Sequence, residues 1–212
     1  SIKLLLSLPN SRLDAVVGKF LGRSAVVVAA LLVGFLFVFV VLIATGTRLQ
    51  LGSFVPQVAL TALLGMAFVS IGLGISALAG SNREATLATM GLYLVFAVLW
   101  GSVSEGIPKL INYTADQVGV GGVSELTRVK LGVFLKYLNP LKAYETLAAQ
   151  LYYGPVQARL VSATFGEQAA LGPVLEESIP FYFTGSFLFA VLLAWIVVPA
   201  VVGYWAFERA DL

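Results

Sequence analysis

The side chains that could do chemistry are few, and two kinds are missing altogether. The 212-residue chain holds 13 basic and 11 acidic residues, with no histidine and no cysteine. Lacking histidine, it lacks the commonest general base, the usual proton relay and the commonest transition-metal ligand. Lacking cysteine, it has no thiolate nucleophile, no thiolate metal site and no disulfide framework. Gly18-Lys19 suggests a phosphate loop. That motif needs a glycine five residues before the second glycine and Ser or Thr after the lysine, and Leu13 and Phe20 stand at those places. Gly119-Val120-Gly121-Gly122 has no strand–helix unit around it and reads as a loop. No serine sits in a nucleophile-elbow pattern and there is no metalloprotease helix. The expectation is a chain with no catalytic, cofactor-binding or metal-ligating residue.

The charges say more by where they do not occur. Hydrophobic residues make up 59% of the chain and charged ones only 11%, against about 45–50% and about 25% in soluble domains. Mean hydropathy is +0.94. The natural solvent for such a chain is lipid. A net charge of +2 is too balanced for a nucleic-acid partner. No charge occurs between Arg23 and Arg48, Arg48 and Arg83, Glu84 and Glu105, or Glu177 and Glu208. Each gap holds one membrane helix of about 20 residues. The spans are predicted at about 24–45, 54–79, 85–104 and 184–207. Helix is favoured over strand because an isolated strand in lipid leaves its backbone unpaired. Pro56 lies near the start of the second span, where it is tolerated, and Pro199 predicts a kink in the fourth. The predicted fold is an all-α polytopic membrane helical bundle.

Residues 1–23 carry Lys3, Arg12, Lys19 and Arg23, and Arg83 and Arg209 lie on the same side of the predicted bundle. The positive-inside rule places 1–23, the 81–84 turn and the C-terminus in the cytoplasm. The long segment 105–183 is then extracytoplasmic. Within it, 124–138 has amphipathic helical spacing, and Asn139-Pro140 restarts a helix as N-cap and first helical residue. Two short helices are expected at the outer membrane surface. Aromatics at Phe181, Tyr182, Phe183, Tyr204, Trp205 and Phe207 mark the interfaces of the last span. Gly72, Ser76 and Gly80 fall four apart, a spacing of small residues that lets helices approach closely. That stripe reads as intramolecular packing, a subunit interface or a pathway lining.

The N-terminal segment has its own organisation. Ile2 to Leu8 is apolar but too short to span, and Pro9-Asn10 breaks it. Ser11 can cap a new helix, with Asp14 at the capping-box position. The residues 1–23 therefore read either as an interfacial anchor or as a docking element for a cytoplasmic partner. The chain starts at Ser1 without a signal-peptide pattern, which leads to the expectation of a fragment.

Three motifs in order resemble those of prokaryotic ABC transporter permeases of the type-2 exporter family, including the subset with the nitrous-oxide-reductase maturation permease. The first is Ser1-Ile2-Lys3-Leu4-Leu5-Leu6-Ser7-Leu8-Pro9-Asn10-Ser11-Arg12 followed by Gly18-Lys19. The second is Leu138-Asn139-Pro140-Leu141 with Ala143-Tyr144. The third is Gly203-Tyr204 with Phe207-Glu208-Arg209-Ala210-Asp211-Leu212. The resemblance implies a full permease of six spans, of which this chain holds the last four, in a prokaryotic cell membrane. It implies a dimer, formed with itself or a related permease, and a cytoplasmic ATPase subunit that carries ATP-Mg. Leu5, Leu6, Pro9, Ser11 and Arg12 would then couple to that ATPase. The rival reading from the residues is a non-transporting membrane anchor or assembly subunit. A membrane-embedded enzyme is disfavoured by the missing histidine, cysteine and intramembrane carboxylates.

Overall fold

The computed structural model describes residues 12–47, 50–119, 121–122, 124–154, 157–158 and 180–209. Among the described residues the chain is all-α, with no strand. Helix α1 spans Arg12–Ala44 and α2 spans Leu51–Leu78. Between them Gly46 turns the chain at φ 69, a conformation that glycine adopts without a Cβ clash. Helix α3 (Asn82–Leu94) is capped by Ser81, whose Oγ accepts from Glu84 N at 3.3 Å. The Glu84 carboxylate in turn accepts from Gly80 N at 3.0 Å, so the sharp turn satisfies backbone donors from both sides.

Helix α3 runs into a π-helical segment (Val95–Leu99) and then α4 (Trp100–Val118), which Gly119 ends at φ 73. Helix α5 (Glu125–Tyr137) is capped by Ser124 and α6 (Pro140–Gln150) by Asn139. A 3-10 turn at Phe181–Phe183 precedes α7, Gly185–Arg209. Four helices are long and apolar enough to cross a membrane: Val16–Ala44, Leu51–Leu78, Asn82–Val118 and Gly185–Ala206.

The third of these runs well past the expected end at 104. Its C-terminal part carries a polar stripe, with Lys109 paired to Glu105 at 3.4 Å and Asn112 donating to Asp116 at 3.3 Å. A helix with such a stripe can continue into water after leaving the apolar layer. Helix α1 is also long. Its 33 residues span roughly 50 Å, against a hydrocarbon layer of roughly 30 Å.

The closest packing joins α2 to α7. A Cβ added at Gly74 would lie 2.7 Å from the Pro199 carbonyl oxygen, and one at Gly203 would lie 3.1 Å from Gly74 Cα. Ala67, Ser70 and Ile71 are buried along the same face, and Ser70 Oγ donates to the Ile196 carbonyl. Helix α1 meets α2 at Gly65, where an added Cβ would lie 3.0 Å from Val27. The rings of Phe35 and Phe39 close the contact on Phe54. Most of the remaining α1 surface is apolar and exposed, with Val33 at 69% and Phe37 at 70%, a face suited to lipid.

Candidate functional site

Helices α5 and α6 do not rest on the outer surface as expected. They form a hairpin inserted among α2, the π segment and α7. Tyr137, Ala143, Phe183, Leu188 and Leu192 are buried together, with Leu60 and Leu64 of α2 packed against them. The reason is local. The amphipathic faces of both helices need an apolar partner, and the connecting turn brings polar atoms that lipid cannot satisfy.

Those atoms all find partners inside the protein. Asn139 is fully buried. Its Oδ1 accepts from Leu141 N at 2.8 Å, which caps α6. Its Nδ2 donates to the Phe96 carbonyl at 2.8 Å. Phe96 lies in the π segment, where the altered winding frees carbonyls from the α-helical ladder. Two indoles hold the carbonyls at the end of α5. Trp195 Nε1 donates to Leu138 O at 2.8 Å, and Trp100 Nε1 donates to Leu135 O at 3.0 Å. Trp195 is ten residues into α7, roughly 15 Å from its start, so the hairpin tip sits deep in the bundle.

A second set ties α6 to α2. The Tyr144 hydroxyl accepts from Gln57 Nε2 at 2.8 Å and lies 2.9 Å from Thr61 Oγ1. Ser53 Oγ donates to Leu151 O at 2.8 Å. Phe134 packs edge-on against Tyr182 and tilted against Phe187, and Phe181 packs edge-on against Phe187. Burial without a hydrogen-bond partner pushes the Tyr182 phenol above its ordinary value near 10. Amides, indoles and hydroxyls hold the shape of this closure.

The opposite end of the bundle carries Arg12, Lys19, Arg23 and Arg83. Leu5, Leu6, Pro9 and Ser11 lie outside the described residues, and Arg12 is described as the first residue of α1. Val16, Lys19 and Arg23 follow on α1 and line a cavity shared with α2 and α7. Ser76 lies on the same cavity. An added Cβ at Gly72 meets no atom within 4 Å, and one at Gly80 meets the Glu84 carboxylate at 3.3 Å. The close helix approaches fall instead on Gly65, Gly74, Gly132 and Gly203. Sequence reasoning picked out Asn139, Pro140 and Tyr144 but missed Trp100, Trp195, Gln57 and Phe96. A signal existed for the two tryptophans and the glutamine: each places a polar group inside an apolar span, where it needs a partner.

Fold and site together define a polytopic helical membrane protein closed at one end by a pinned hairpin. The family model described as ABC-2 family transporter protein matches residues 1–212, and the chain belongs to that family. No curated protein and no solved structure matches the chain. Membership makes it a membrane permease of the ABC transporter class.

Proposed function

We propose that this chain is the permease subunit of an ATP-driven exporter, driven from its basic end by a separate cytoplasmic ATPase. The observation that carries this reading is the family match over residues 1–212. Under it, ATP-Mg is bound and hydrolysed on the partner, and this chain contributes neither catalysis nor a cofactor. Two copies, or this chain and a related permease, enclose the pathway in a prokaryotic cell membrane with the C-terminus cytoplasmic.

The architecture supports a mechanical division of labour. Helix α1 is one continuous rod from Arg12 to Ala44, so a push on the segment before it reaches the membrane-spanning part directly. Helices α2 and α7 are interlocked at Gly74 and Gly203, and the hairpin is bonded to both α2 and α7. The interlocked unit and the α1 rod are thus two bodies whose relative position an ATPase can bias. Leu5, Leu6, Pro9, Ser11 and Arg12 are the residues through which it would act.

Replacing Leu6 and Arg12 by alanine should lower transport-coupled ATPase activity and weaken recovery of the ATPase in a pull-down, with membrane insertion intact. Unchanged coupling and pull-down would remove the assignment of this segment. Absence of any ATPase partner in the wild-type purification would favour a non-transporting anchor instead.

A further inference from the structure

The hairpin carries charge to a depth where the apolar spans have none. Lys142 Nζ and Glu145 Oε2 pair at 2.8 Å on α6. Their level follows from the bonds that pin the hairpin. Leu138 O is held by Trp195, near the middle of the apolar stretch Gly185–Ala206. Tyr144 is held by Gln57 and Thr61, which lie roughly 9 and 15 Å along α2 from Leu51. The tip therefore stands near the bilayer midplane. Lys142 and Glu145 follow Leu138 by roughly 6 and 10 Å of helix, inside the roughly 15 Å half-thickness of the hydrocarbon.

One side of α6 is filled. Ala143 and Thr146 are buried, Tyr144 reaches α2, and Leu147 packs against the core of the hairpin. Glu145 lies on the opposite side of the helix, and Lys142 reaches across to it. Their side chains are 46% and 33% exposed. Leu141, one helical turn before Glu145, is partly exposed beside them. Hydrocarbon does not suit such a face. Charged side chains at membrane depth are costly against lipid and turn toward protein or water. An exposed pair in contact with water keeps its hydration and costs little.

We infer that the Lys142–Glu145 face of α6 lines a water-filled recess, open at the Leu51 end of α2 and reaching toward the midplane, that admits hydrophilic solutes. The cation and the carboxylate offer a donor and an acceptor side by side, so the recess suits a polar solute and not an apolar one. The inference deepens the permease reading by giving its pathway a lining. It rests on that reading for the passage of a substrate, but the water in the recess does not require an ATPase.

The test uses the full chain, which has no cysteine of its own, in broken membranes where a reagent meets both faces. Single cysteines are placed at Glu145 and at Leu141, the latter leaving the ion pair intact. Thr47→Cys, in the turn after α1, is the hydrated reference, and Phe37→Cys, on the 70% exposed apolar face of α1, is the lipid reference. The probe is sulfonatoethyl methanethiosulfonate, a charged reagent that stays out of hydrocarbon, and the readout is the mass of the intact protein over time. Glu145→Cys and Leu141→Cys should react within about tenfold of Thr47→Cys, and Phe37→Cys at least about a hundredfold slower, because only a hydrated thiol ionises to the reactive thiolate. Reaction of Leu141→Cys as slow as that of Phe37→Cys would overturn the recess even if Glu145→Cys reacted, since the cysteine at 145 leaves Lys142 unpaired and able to draw water in. Slow reaction of both, with disulfide cross-linking between copies through Glu145→Cys, would give the face to a second copy and overturn it as well. A purification that yields no ATPase would remove the permease coupling and leave these rates as they stand.

Discussion

Both ends of the Asn139 amide are engaged, one inside its own helix and one across to the π segment. Asn139→Ala removes an N-cap worth about 1 kcal/mol. It also orphans a buried carbonyl, which costs about 1–3 kcal/mol more. The expected loss is about 2–4 kcal/mol, read as a lower unfolding temperature in detergent. Asn139→Asp keeps the cap oxygen and loses the donor, so it separates the two contributions. Tyr182 is the opposite case, since its buried hydroxyl has no partner. Tyr182→Phe should leave stability at neutral pH unchanged or raise it by up to about 1 kcal/mol. The folded phenol titrates above the unfolded one. Its contribution is therefore complete below pH 10.0 and is lost as pH rises through the folded value. Alkaline unfolding curves should show this loss in the wild type and lack it in the Phe variant.

Between elements, two glycines on one helix make a sharp contrast. At Gly74 a Cβ would strike the Pro199 backbone, and at Gly72 it would meet nothing. Gly74→Ala should cost about 1–3 kcal/mol through overpacking. Gly72→Ala should cost nothing or stabilise slightly, given alanine's higher helix propensity. Thermal unfolding of the two variants, side by side, decides the matter. The same pair shows what sequence could and could not reveal. The four spans were legible because four charge-free gaps, the first opening at Arg23 and the last closing at Glu208, report a local property, solubility in lipid. The cap at Asn139 was legible because a cap acts within three residues. Which glycine stripe meets a neighbour depends on how α2 is rotated against α7, and Gly203 lies far along the chain. The spacing of Gly72, Ser76 and Gly80 carries no information on that rotation. The insertion of the hairpin was hidden for a related reason: an amphipathic face announces that it needs a cover, not whether lipid headgroups or helices supply it.

At the scale of the whole molecule, the absence of cysteine makes the chain a ready background for labelling. Thr47 lies in the turn between α1 and α2, and Arg83 in the first turn of α3, at opposite ends of α2. The basic residues clustered at the Arg83 end predict that it faces the cytoplasm. A membrane-impermeant maleimide on intact cells should label Thr47→Cys and spare Arg83→Cys; the reverse pattern would invert the bundle. The π segment between α3 and α4 has a consequence for how such a bundle diversifies. An α-helix turns its side chains by roughly 100° per residue, so one added residue offsets every face beyond it by about that angle. The lipid-facing half of the third span and the hairpin-facing half beyond Trp100 therefore follow separate angular registers. Substitutions that retune one half for a different membrane need not disturb the phase of the other, and a one-residue deletion at 95–99 would swing Trp100 off its carbonyl while leaving Tyr93 where it stands.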